Sequence, residues 1–340
     1  MKAGYIEVPY KAYFKEVEEP QITKDNEVKV QVKFTGICGS EVSAYHGTHP
    51  YRIPPLISGH EFSGVISEAG KAVKDWKVGD RVVVEPQYGC GVCSLCKDGK
   101  YNICPEKKVL GATYWSGSFG EYVVVPEQTL LTLPDSVPFE YGALVEPLAV
   151  GLHAVKISGC DKMKTVLILG GGTIGMSTML AAKLYNPATI LAARRDFYLD
   201  KAKVMGCDYV INNHNSNLEE EVMKITNGKG ADITYVCFGS EEMMDEAAKC
   251  TKRGGLISVI ALLGNGKGFP YGPLFAKELI VMGSNMYVHE DFEEVLKAIN
   301  ENRIQPGPMI SRIIPIEEVN KALDYCDKRP EPTIKTLLQL

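Results

Sequence analysis

Polar and apolar residues alternate along several short segments in the first third of the chain. Residues 27–34 read Glu-Val-Lys-Val-Gln-Val-Lys-Phe, and this period of two predicts a half-buried β-strand. Residues 62–67 and 81–84 follow the same pattern, and another strand is predicted over residues 119–125, ending at Pro126. Short strands separated by turns at this spacing favour a barrel-like β domain.

From residue 148 onward the pattern changes to an alternation of strands and helices. Apolar runs predict strands at residues 165–170, 189–194, 208–211, 233–238, 256–260 and 279–283. Helix-like segments lie between them, at residues 197–205, 218–226 and 241–250. Six strands joined by helical crossovers predict a doubly wound parallel sheet.

The last part of the chain adds helical patterns at residues 291–300 and 316–326 and an apolar run at 333–340. This tail is too short to form a core of its own, so we expect it to rejoin the β domain. The predicted organisation is a β domain over residues 1–147, a parallel-sheet domain over 148–285, and a return to the first domain over 286–340.

The composition is that of an ordinary globular protein. The 340 residues are 45% hydrophobic and 23% charged, and a chain of this length usually divides into two domains. A net charge of -5 gives no indication of nucleic-acid binding. The first residues contain no apolar signal region, and three consecutive glycines interrupt the uncharged stretch 165–182. We therefore expect a cytoplasmic protein without a membrane helix.

Four of the ten cysteines lie within fifteen residues, in the pattern Cys90-x2-Cys93-x2-Cys96-x7-Cys104. Four thiolates in a short, glycine-containing loop are typical of a closed tetrahedral zinc site, which leaves no position open for a substrate. The pattern therefore predicts a structural zinc. Disulfide bonds are disfavoured because the chain reads as cytosolic.

A glycine-rich turn follows the first predicted strand of the parallel sheet. The run Gly170-Gly171-Gly172-Thr173-Ile174-Gly175 fits G-x-G-x-x-G and opens a helix of small residues. There the glycines permit close approach of the backbone to a pyrophosphate, and the helix N-terminus offers free N–H groups. We predict a dinucleotide site at this run, in preference to a plain glycine turn before a packed helix.

The end of the second strand of this sheet predicts which dinucleotide binds. An acidic residue there selects NAD through the ribose hydroxyls, but Ala193 occupies that position and Arg194 and Arg195 follow it. Two guanidinium groups beside a small residue suit the 2′-phosphate of NADP. We therefore predict that NADP is preferred over NAD. The alternative is that the arginines are a solvated helix start and that Asp196 supplies the acid.

A second candidate metal site is dispersed along the chain. His60 and Glu61 adjoin in Gly59-His60-Glu61, Cys38 lies upstream, and Glu146 lies downstream. Thiolate, imidazole and carboxylate are the ligand types that a catalytic zinc uses. Adjacent side chains usually diverge, so the His-Glu pair alone is weak evidence. The hypothesis is that all four surround an open zinc site.

Several motifs occur together in one order along nearly the whole chain. They are Gly36-Ile37-Cys38-Gly39-Ser40, Gly59-His60-Glu61-Phe62-Ser63-Gly64, Val78-Gly79-Asp80-Arg81-Val82, the four-cysteine loop, Glu146-Pro147-Leu148-Ala149-Val150 and the glycine-rich turn. With this set the chain resembles the zinc-containing medium-chain dehydrogenases/reductases. It is most similar to their polyol branch, which includes sorbitol, galactitol-phosphate and butanediol dehydrogenases. The resemblance implies a GroES-like β-barrel catalytic domain and a Rossmann cofactor domain.

By motif position, the resemblance implies roles for five residues of the first domain. Cys38 and His60 would be ligands of the catalytic zinc, with Glu61 and Glu146 as alternative or exchanging ligands. Ser40 would hydrogen-bond the substrate oxygen and start the relay of its proton.

Other positions either match the family or depart from it. Lys335 matches a basic residue that, in relatives, approaches the cofactor pyrophosphate from the catalytic domain. Glu41 stands where relatives commonly have an aspartate that orients the zinc-bound histidine, and it is long enough to do the same. Ser43 replaces a histidine of the proton relay. His46 and His49 lie nearby and are candidates to substitute for it, although exposed loop histidines are the more ordinary interpretation.

The predicted activity is hydride transfer between a polyol or secondary alcohol, such as a sugar alcohol or its phosphate, and NAD(P), with two zinc ions per chain. Glutamate in place of a second cysteine makes the metal site harder, which suits polyhydroxy substrates. Two other functions stay open: a dehydrogenase of threonine or a sugar acid, and a zinc- and cofactor-binding protein without turnover. As the relatives imply, we expect a homo-oligomer, a dimer or tetramer, that binds a small-molecule substrate.

Overall fold

The computed structural model of the chain describes residues 1–239, 241–261 and 270–340. In these residues the strands are β1 Lys2–Val8, β2 Lys11–Glu16, β3 Glu27–Ile37, β4 Glu61–Ala69, β5 Arg81–Val84, β6 Gln87–Tyr88, β7 Lys108–Val109, β8 Tyr122–Pro126, β9 Leu130–Thr132, β10 Thr165–Leu169, β11 Ala188–Ala193, β12 Tyr209–Asn212, β13 Ala231–Val236, β14 Thr251–Val259, β15 Ile280–Gly283, β16 Ile310–Pro315 and β17 Lys335–Gln339. The helices are α1 Gly39–Tyr45, α2 Ser94–Lys97, α3 Phe139–Gly142, α4 Val145–Ile157, α5 Thr173–Lys183, α6 Asp196–Val204, α7 Leu218–Ile225, α8 Glu241–Cys250, α9 Tyr271–Lys277, α10 His289–Asn300 and α11 Val319–Lys328. Across the residues that the structure describes, no helix has the length and apolar character needed to span a bilayer.

The chain divides into two compact units. The first unit consists of Met1–Glu146, Val288–Asn300 and Ile310–Leu340, and the second unit of Pro147–Tyr287 and Glu301–Met309. The last part of the chain thus contributes two segments to the first unit, and a short segment between them belongs to the second.

A seven-stranded sheet forms the frame of the first unit. Its strand order is β16-β17-β3-β4-β5-β9, with β8 paired to β3. The predicted strands at 27–34, 62–67 and 81–84 are confirmed as β3, β4 and β5. The strand predicted over 119–125 starts only at Tyr122, so the first part of that prediction is wrong. There the Phe119 N–H donates to the Ser58 carbonyl instead, which draws the segment towards the residues preceding β4.

The pairing of β3 with β4 determines where the candidate metal ligands lie. The two strands are antiparallel, and Gly36 faces Glu61 in their register. The end of β3 therefore adjoins the start of β4. Buried valines of β3, with Phe62 and Ile66 of β4, fix this register by filling one core of the unit.

The second unit contains a six-stranded sheet in which every strand pair is parallel, as predicted. The strand order is β12-β11-β10-β13-β14-β15, which is the 3-2-1-4-5-6 order of doubly wound dinucleotide-binding sheets. The order reverses between β10 and β13. Since ligands of such sheets bind beyond the carboxyl ends of the strands at that switch point, the turn after β10 is the expected cofactor position.

Candidate metal and cofactor sites

The chain folds so that Cys38, Glu61 and Glu146 each lie near His60. Cys38 follows β3 and is the N-cap residue of α1, while His60 and Glu61 stand at the start of β4. Glu146 lies in the first turn of α4. Because the end of β3 adjoins the start of β4, a ligand from each strand reaches the same place.

The donor atoms of these four residues and of Glu41 form two overlapping groups that share His60. One group is His60, Glu61 and Glu146, and the other is Cys38, Glu41 and His60; within each group the ligand atoms lie within 4.8 Å of one another. The His60 Nε2 atom is 3.9 Å from Glu146 Oε1. One sulfur, one imidazole nitrogen and carboxylate oxygens, largely buried, form a donor set that fits zinc.

Glu41 orients two of these residues. Its Oε1 atom lies 2.8 Å from His60 Nδ1, and its Oε2 atom accepts a hydrogen bond of 3.0 Å from the Cys38 backbone N–H. Glu41 is fully buried. Since Nδ1 faces this carboxylate, Nε2 is the imidazole nitrogen available to a metal. The orienting role expected for Glu41 agrees with this geometry.

The charges around Glu41 act on each other strongly. Burial acts to raise the pKa of the Glu41 carboxyl, but His60 and Arg52 outweigh it and hold this pKa far below its usual range. Burial likewise acts to lower the pKa of the His60 imidazole, and the Glu41 carboxylate outweighs it, so this pKa lies well above its usual value.

Glu61 forms a buried ion pair with Lys335. Both carboxylate oxygens lie 2.7 Å from the Lys335 ammonium nitrogen, and each side chain is 1% exposed. Lys335 also donates to the Ile37 carbonyl. Burial acts to lower the pKa of Lys335, but the Glu61 charge outweighs it and raises this pKa. The Glu61 carboxylate lies across Gly36, where a Cβ atom would overlap it.

Ser40 and the neighbouring histidines have different surroundings. The Ser40 hydroxyl is buried, and no residue in the described part of the chain forms a hydrogen bond with it. The His46 Nε2 atom lies 2.9 Å from Asp327. The His49 Nδ1 atom accepts the Arg52 backbone N–H at 3.2 Å, and burial, with the nearby Arg52 charge, lowers the pKa of His49 to about 4. The Ser40 hydroxyl is therefore available to a substrate oxygen.

The four cysteines Cys90, Cys93, Cys96 and Cys104 form a third group, in which the sulfur atoms also lie within 4.8 Å of one another. The Cys90–Cys96 and Cys93–Cys104 sulfur distances are 3.9 and 3.8 Å. Zinc–sulfur bonds of ~2.3 Å place two sulfurs of a tetrahedron ~3.8 Å apart. Backbone N–H groups of Cys93 and Cys96 also donate to sulfurs of the loop. The loop therefore fits a closed four-thiolate zinc site.

The glycine-rich turn has the shape that a pyrophosphate requires. Gly170 has φ +109°, which favours glycine, and a Cβ atom at Gly175 would overlap the Gly170 carbonyl oxygen. A Cβ atom at Gly172, by contrast, would meet nothing within 4 Å. Open space therefore adjoins the N-terminus of α5, where Thr173 and Ile174 begin the helix. The predicted residues are thus arranged as a dinucleotide turn.

The end of β11 carries no acidic side chain. Ala193 is the last residue of the strand, and Arg194 and Arg195 are exposed beyond it. Asp196 begins α6 and accepts a hydrogen bond of 2.7 Å from the Asn212 side chain. The nearest carboxylate that could select NAD thus stands at the first residue of the next helix, where it already accepts the Asn212 hydrogen bond.

Two features of the sites were not predicted from the sequence. One is the Glu61–Lys335 pair, which joins residues 274 positions apart. The other is Arg52, which lies 3.5 Å from Glu41 and is almost fully buried. An arginine in a loop that also contains Pro50 and Pro54 gives no periodic signal, so only the folded structure reveals it.

Two family models match the chain. The model of the alcohol dehydrogenase GroES-like domain matches residues 24–135, and the zinc-binding dehydrogenase model matches residues 173–301. The sorbitol dehydrogenase of Halalkalibacterium halodurans is 33% identical over 331 residues, which cover 96% of this chain and 95% of that protein. The L-idonate 5-dehydrogenase of Vitis vinifera is 36% identical over 293 residues, covering 84% and 80%.

The solved structures that resemble this chain are also described as dehydrogenases. Galactitol-1-phosphate dehydrogenase from Escherichia coli superposes with a TM-score of 0.93 at 26% identity, with 100% of both chains covered. A Sinorhizobium meliloti protein described as a zinc-binding dehydrogenase and bound to NADP gives 0.90 at 29% identity, covering 100% of this chain and 99% of that one. An alcohol dehydrogenase from E. coli CFT073 complexed with NADH gives 0.92 at 30% identity, with the same coverage.

Proposed function

The chain belongs to the polyol branch of the zinc-containing medium-chain dehydrogenases/reductases, and we propose which residues perform its reaction and on what substrate. Family membership makes it a zinc-dependent oxidoreductase of alcohols and polyols that uses a nicotinamide cofactor. We propose a sugar alcohol or its phosphate as the substrate, and Cys38, His60 and Glu146 as ligands of the catalytic zinc.

The observation that carries this proposal is the convergence of a thiol, an imidazole and carboxylates around His60. When bound there, zinc would act as a Lewis acid on the substrate oxygen and lower the pKa of the alcohol. The His60 Nε2 atom and the Cys38 sulfur would hold the metal, while Glu41 keeps the imidazole in one tautomer.

Ser40 is the proposed first member of the relay that removes the proton of the substrate hydroxyl group. Its hydroxyl oxygen accepts the proton of the substrate hydroxyl group and passes its own proton to the next group of the relay, while the carbon of the substrate hydroxyl group gives its hydride to the nicotinamide. The buried position of the Ser40 hydroxyl supports this role, because a buried hydroxyl without a bond is costly unless a ligand completes it. Which residue follows Ser40 in the relay stays a prediction.

Glu61 is proposed as an exchanging ligand controlled by Lys335. The Lys335 ammonium group donates hydrogen bonds to both Glu61 carboxylate oxygens. At least one of these hydrogen bonds must therefore break before Glu61 can bind a metal. Lys335 remains our candidate for the contact with the cofactor pyrophosphate. Phosphate binding at Lys335 would then weaken its hold on Glu61, since one ammonium group would serve two anions.

A substrate panel tests the proposed activity. We expect sorbitol, xylitol, galactitol and galactitol-1-phosphate to reduce the cofactor, and at least one of them to exceed 2-propanol in kcat/KM by about tenfold or more. The reason is that a monohydric alcohol leaves polar groups of a polyol site unpaired, at a cost of ~1–3 kcal/mol each. Cofactor reduction is measured by absorbance, with zinc-loaded enzyme.

The same panel decides between the alternatives. The similarity to L-idonate 5-dehydrogenase favours a sugar acid as the second candidate substrate, so L-idonate and L-threonine belong in the panel. A higher kcat/KM for either would replace the polyol proposal. Cofactor binding without turnover of any substrate would indicate a non-catalytic protein.

We propose NADP as the preferred cofactor, two zinc ions per chain and a cytoplasmic location. The NADP preference rests on Arg194 and Arg195 and on the absence of an acidic side chain among the residues of β11. The second zinc rests on the sulfur spacing in the four-cysteine loop. The proposed cytoplasmic location also rests on that loop, because four free thiols close enough to bind a metal persist in a reducing compartment.

We further propose that the protein is a homo-oligomer assembled through β15. This strand is an edge of the parallel sheet, yet Ile280 is 58% and Val281 37% exposed. Parallel sheets are normally covered, and an exposed apolar edge pairs readily with another strand. Phe275 in the preceding helix is 88% exposed. A second copy pairing its β15 across a two-fold axis would cover these side chains.

Replacing Ile280 and Val281 with aspartate is expected to separate the copies. Because residues 280 and 281 point to opposite faces of the strand, each face would carry one new carboxylate from each copy near the two-fold axis. Like charges facing each other across strands are destabilising. The mass measured by light scattering should fall by half, from that of a dimer to that of one chain of 37.3 kDa. As a control, Met163→Asp removes a methionine that is 81% exposed elsewhere and should leave the mass unchanged. A monomeric natural protein, or a dimer that survives the double substitution, would refute the interface.

A further inference from the structure

Glu41 is the common anchor of the candidate zinc site. Its Oε1 atom accepts hydrogen bonds from His60 Nδ1 at 2.8 Å and from the Ser58 hydroxyl at 3.2 Å, while Oε2 accepts the Cys38 N–H at 3.0 Å. The carboxylate therefore fixes an imidazole and the start of the helix that carries the thiol. A residue that holds the Glu41 carboxylate in place therefore also determines the positions of the two proposed zinc ligands, His60 and Cys38.

Arg52 is the fixed cation next to this carboxylate. Its Nη1 atom lies 3.5 Å from Glu41 Oε1, and the two side chains are 3% and 0% exposed. The same Nη1 atom donates a hydrogen bond of 2.9 Å to the Leu110 carbonyl oxygen. Gly111 makes room for it, because a Cβ atom there would stand 2.5 Å from Nη1. The guanidinium is thus locked between the loop at 110–111 and Glu41.

We propose that Arg52 is a positioning residue for the catalytic zinc, acting through Glu41 on His60 and Cys38. This inference rests on the proposed function, since it assumes that His60 and Cys38 ligate zinc. An arginine is always charged and its planar group is rigid, so it gives the buried carboxylate a partner that does not move. Removing one member of a buried ion pair leaves the other unpaired and free to seek new partners. Glu41 would then hold the imidazole less firmly.

Outer partners of metal ligands affect metal affinity in a measurable way. Loss of such a partner typically costs about 10–100-fold in metal affinity or activity. For Arg52→Met we expect the dissociation constant of the catalytic zinc to rise by about 10–100-fold, while the zinc of the four-cysteine loop is retained. Methionine preserves much of the apolar stem and removes the charge and the donors.

The experiment compares zinc release to a competing chelator in the natural protein, Arg52→Met and Arg52→Lys. Arg52→Lys keeps the positive charge but lacks the planar guanidinium group with its several N–H donors. Its dissociation constant for the catalytic zinc should lie between those of the natural protein and Arg52→Met. If Arg52→Met fails to fold, Arg52→Lys tests the inference in its place. In the cobalt-substituted protein, Arg52→Met should change the visible spectrum of the catalytic site, which a loss of general stability would not do. In a double variant that combines Arg52→Met with Glu41→Gln, the losses of zinc affinity should be less than additive, because both substitutions act on His60 and Cys38 through the residue at position 41.

Arg81 provides the matched control. Its guanidinium also binds backbone carbonyls, those of Asp135 and Val137, and stacks on Phe139. Arg81→Met should leave zinc affinity and the cobalt spectrum unchanged. Equal zinc loss from Arg81→Met and Arg52→Met would overturn the inference, as would an unchanged constant and spectrum in Arg52→Met. If the natural protein itself holds zinc only in the four-cysteine loop, the proposed catalytic site fails, and the role of Arg52 fails with it.

Discussion

Replacing Cys38 with serine is expected to reduce kcat/KM for the best polyol by roughly 10³-fold or more, because the Lewis acidity of a zinc ion supplies several kcal/mol to such a reaction. The zinc content should fall from two ions to one per chain. The fold should survive, because Cys38 is only partly buried and caps a helix of seven residues. The measurements are steady-state kinetics, metal analysis and thermal unfolding of the same preparation.

Two other cysteine substitutions serve as controls for Cys38→Ser. Cys160→Ser removes a buried thiol that belongs to no candidate metal group and should leave zinc content and kcat/KM almost unchanged. Cys93→Ser should remove the other zinc and lower the stability of its loop. Full activity in Cys38→Ser, or the loss of both zinc ions, would contradict the assignment of Cys38 to an independent catalytic site.

Replacing both Arg194 and Arg195 with alanine is expected to lower kcat/KM for NADP by about 10²-fold or more and to change the value for NAD little. Each charge-assisted bond to the 2′-phosphate contributes ~1.5–3 kcal/mol, and NAD has no phosphate at that position. Adding Ala193→Asp should then favour NAD, because the new carboxylate accepts hydrogen bonds from the ribose hydroxyls. Kinetics with both cofactors check this.

Lys203→Ala is the control for the cofactor prediction. Lys203 lies in the same helix, α6, and pairs with Asp200 on its exposed surface, so its removal should affect both cofactors equally and slightly. A natural protein with a higher kcat/KM for NAD than for NADP would show that the arginines are a solvated helix start. Asp196 would then be the candidate acid.

Local patterns predicted the fold well where each element carries its own signal. The valines in the alternation at 27–34 and the apolar runs of β10, β11, β13 and β14 are largely buried, and burial is what holds a strand in its register. The N-terminal hairpin of β1 and β2 was not predicted, because its residues are mostly exposed or half-buried outside Ala3, Gly4, Ile6 and Ala12. The shift of the strand at 119–125 depends on a bond to residue 58, which no local pattern contains.

The sequence predicted which residues of the candidate site could bind a metal, but it did not predict which other side chains those residues contact. Zinc ligands are few in kind, so Cys38, His60 and Glu146 stand out in sequence. Their partners do not: the Glu61–Lys335 pair and the Arg52–Leu110 bond join distant parts of the chain. Charge partners inside a fold are selected by proximity after folding, so a sequence shows that they are charged and not what they contact.

We expect Cys38 and His60 to hold a zinc ion separate from the one in the four-cysteine loop. Anomalous scattering at the zinc edge, from crystals grown with zinc, tests it most directly. We expect two peaks, one about 2.3 Å from Cys38 Sγ and about 2.1 Å from His60 Nε2, and one about 2.3 Å from each of the four loop sulfurs. A single peak in the loop, with none beside Cys38 and His60, would contradict the account.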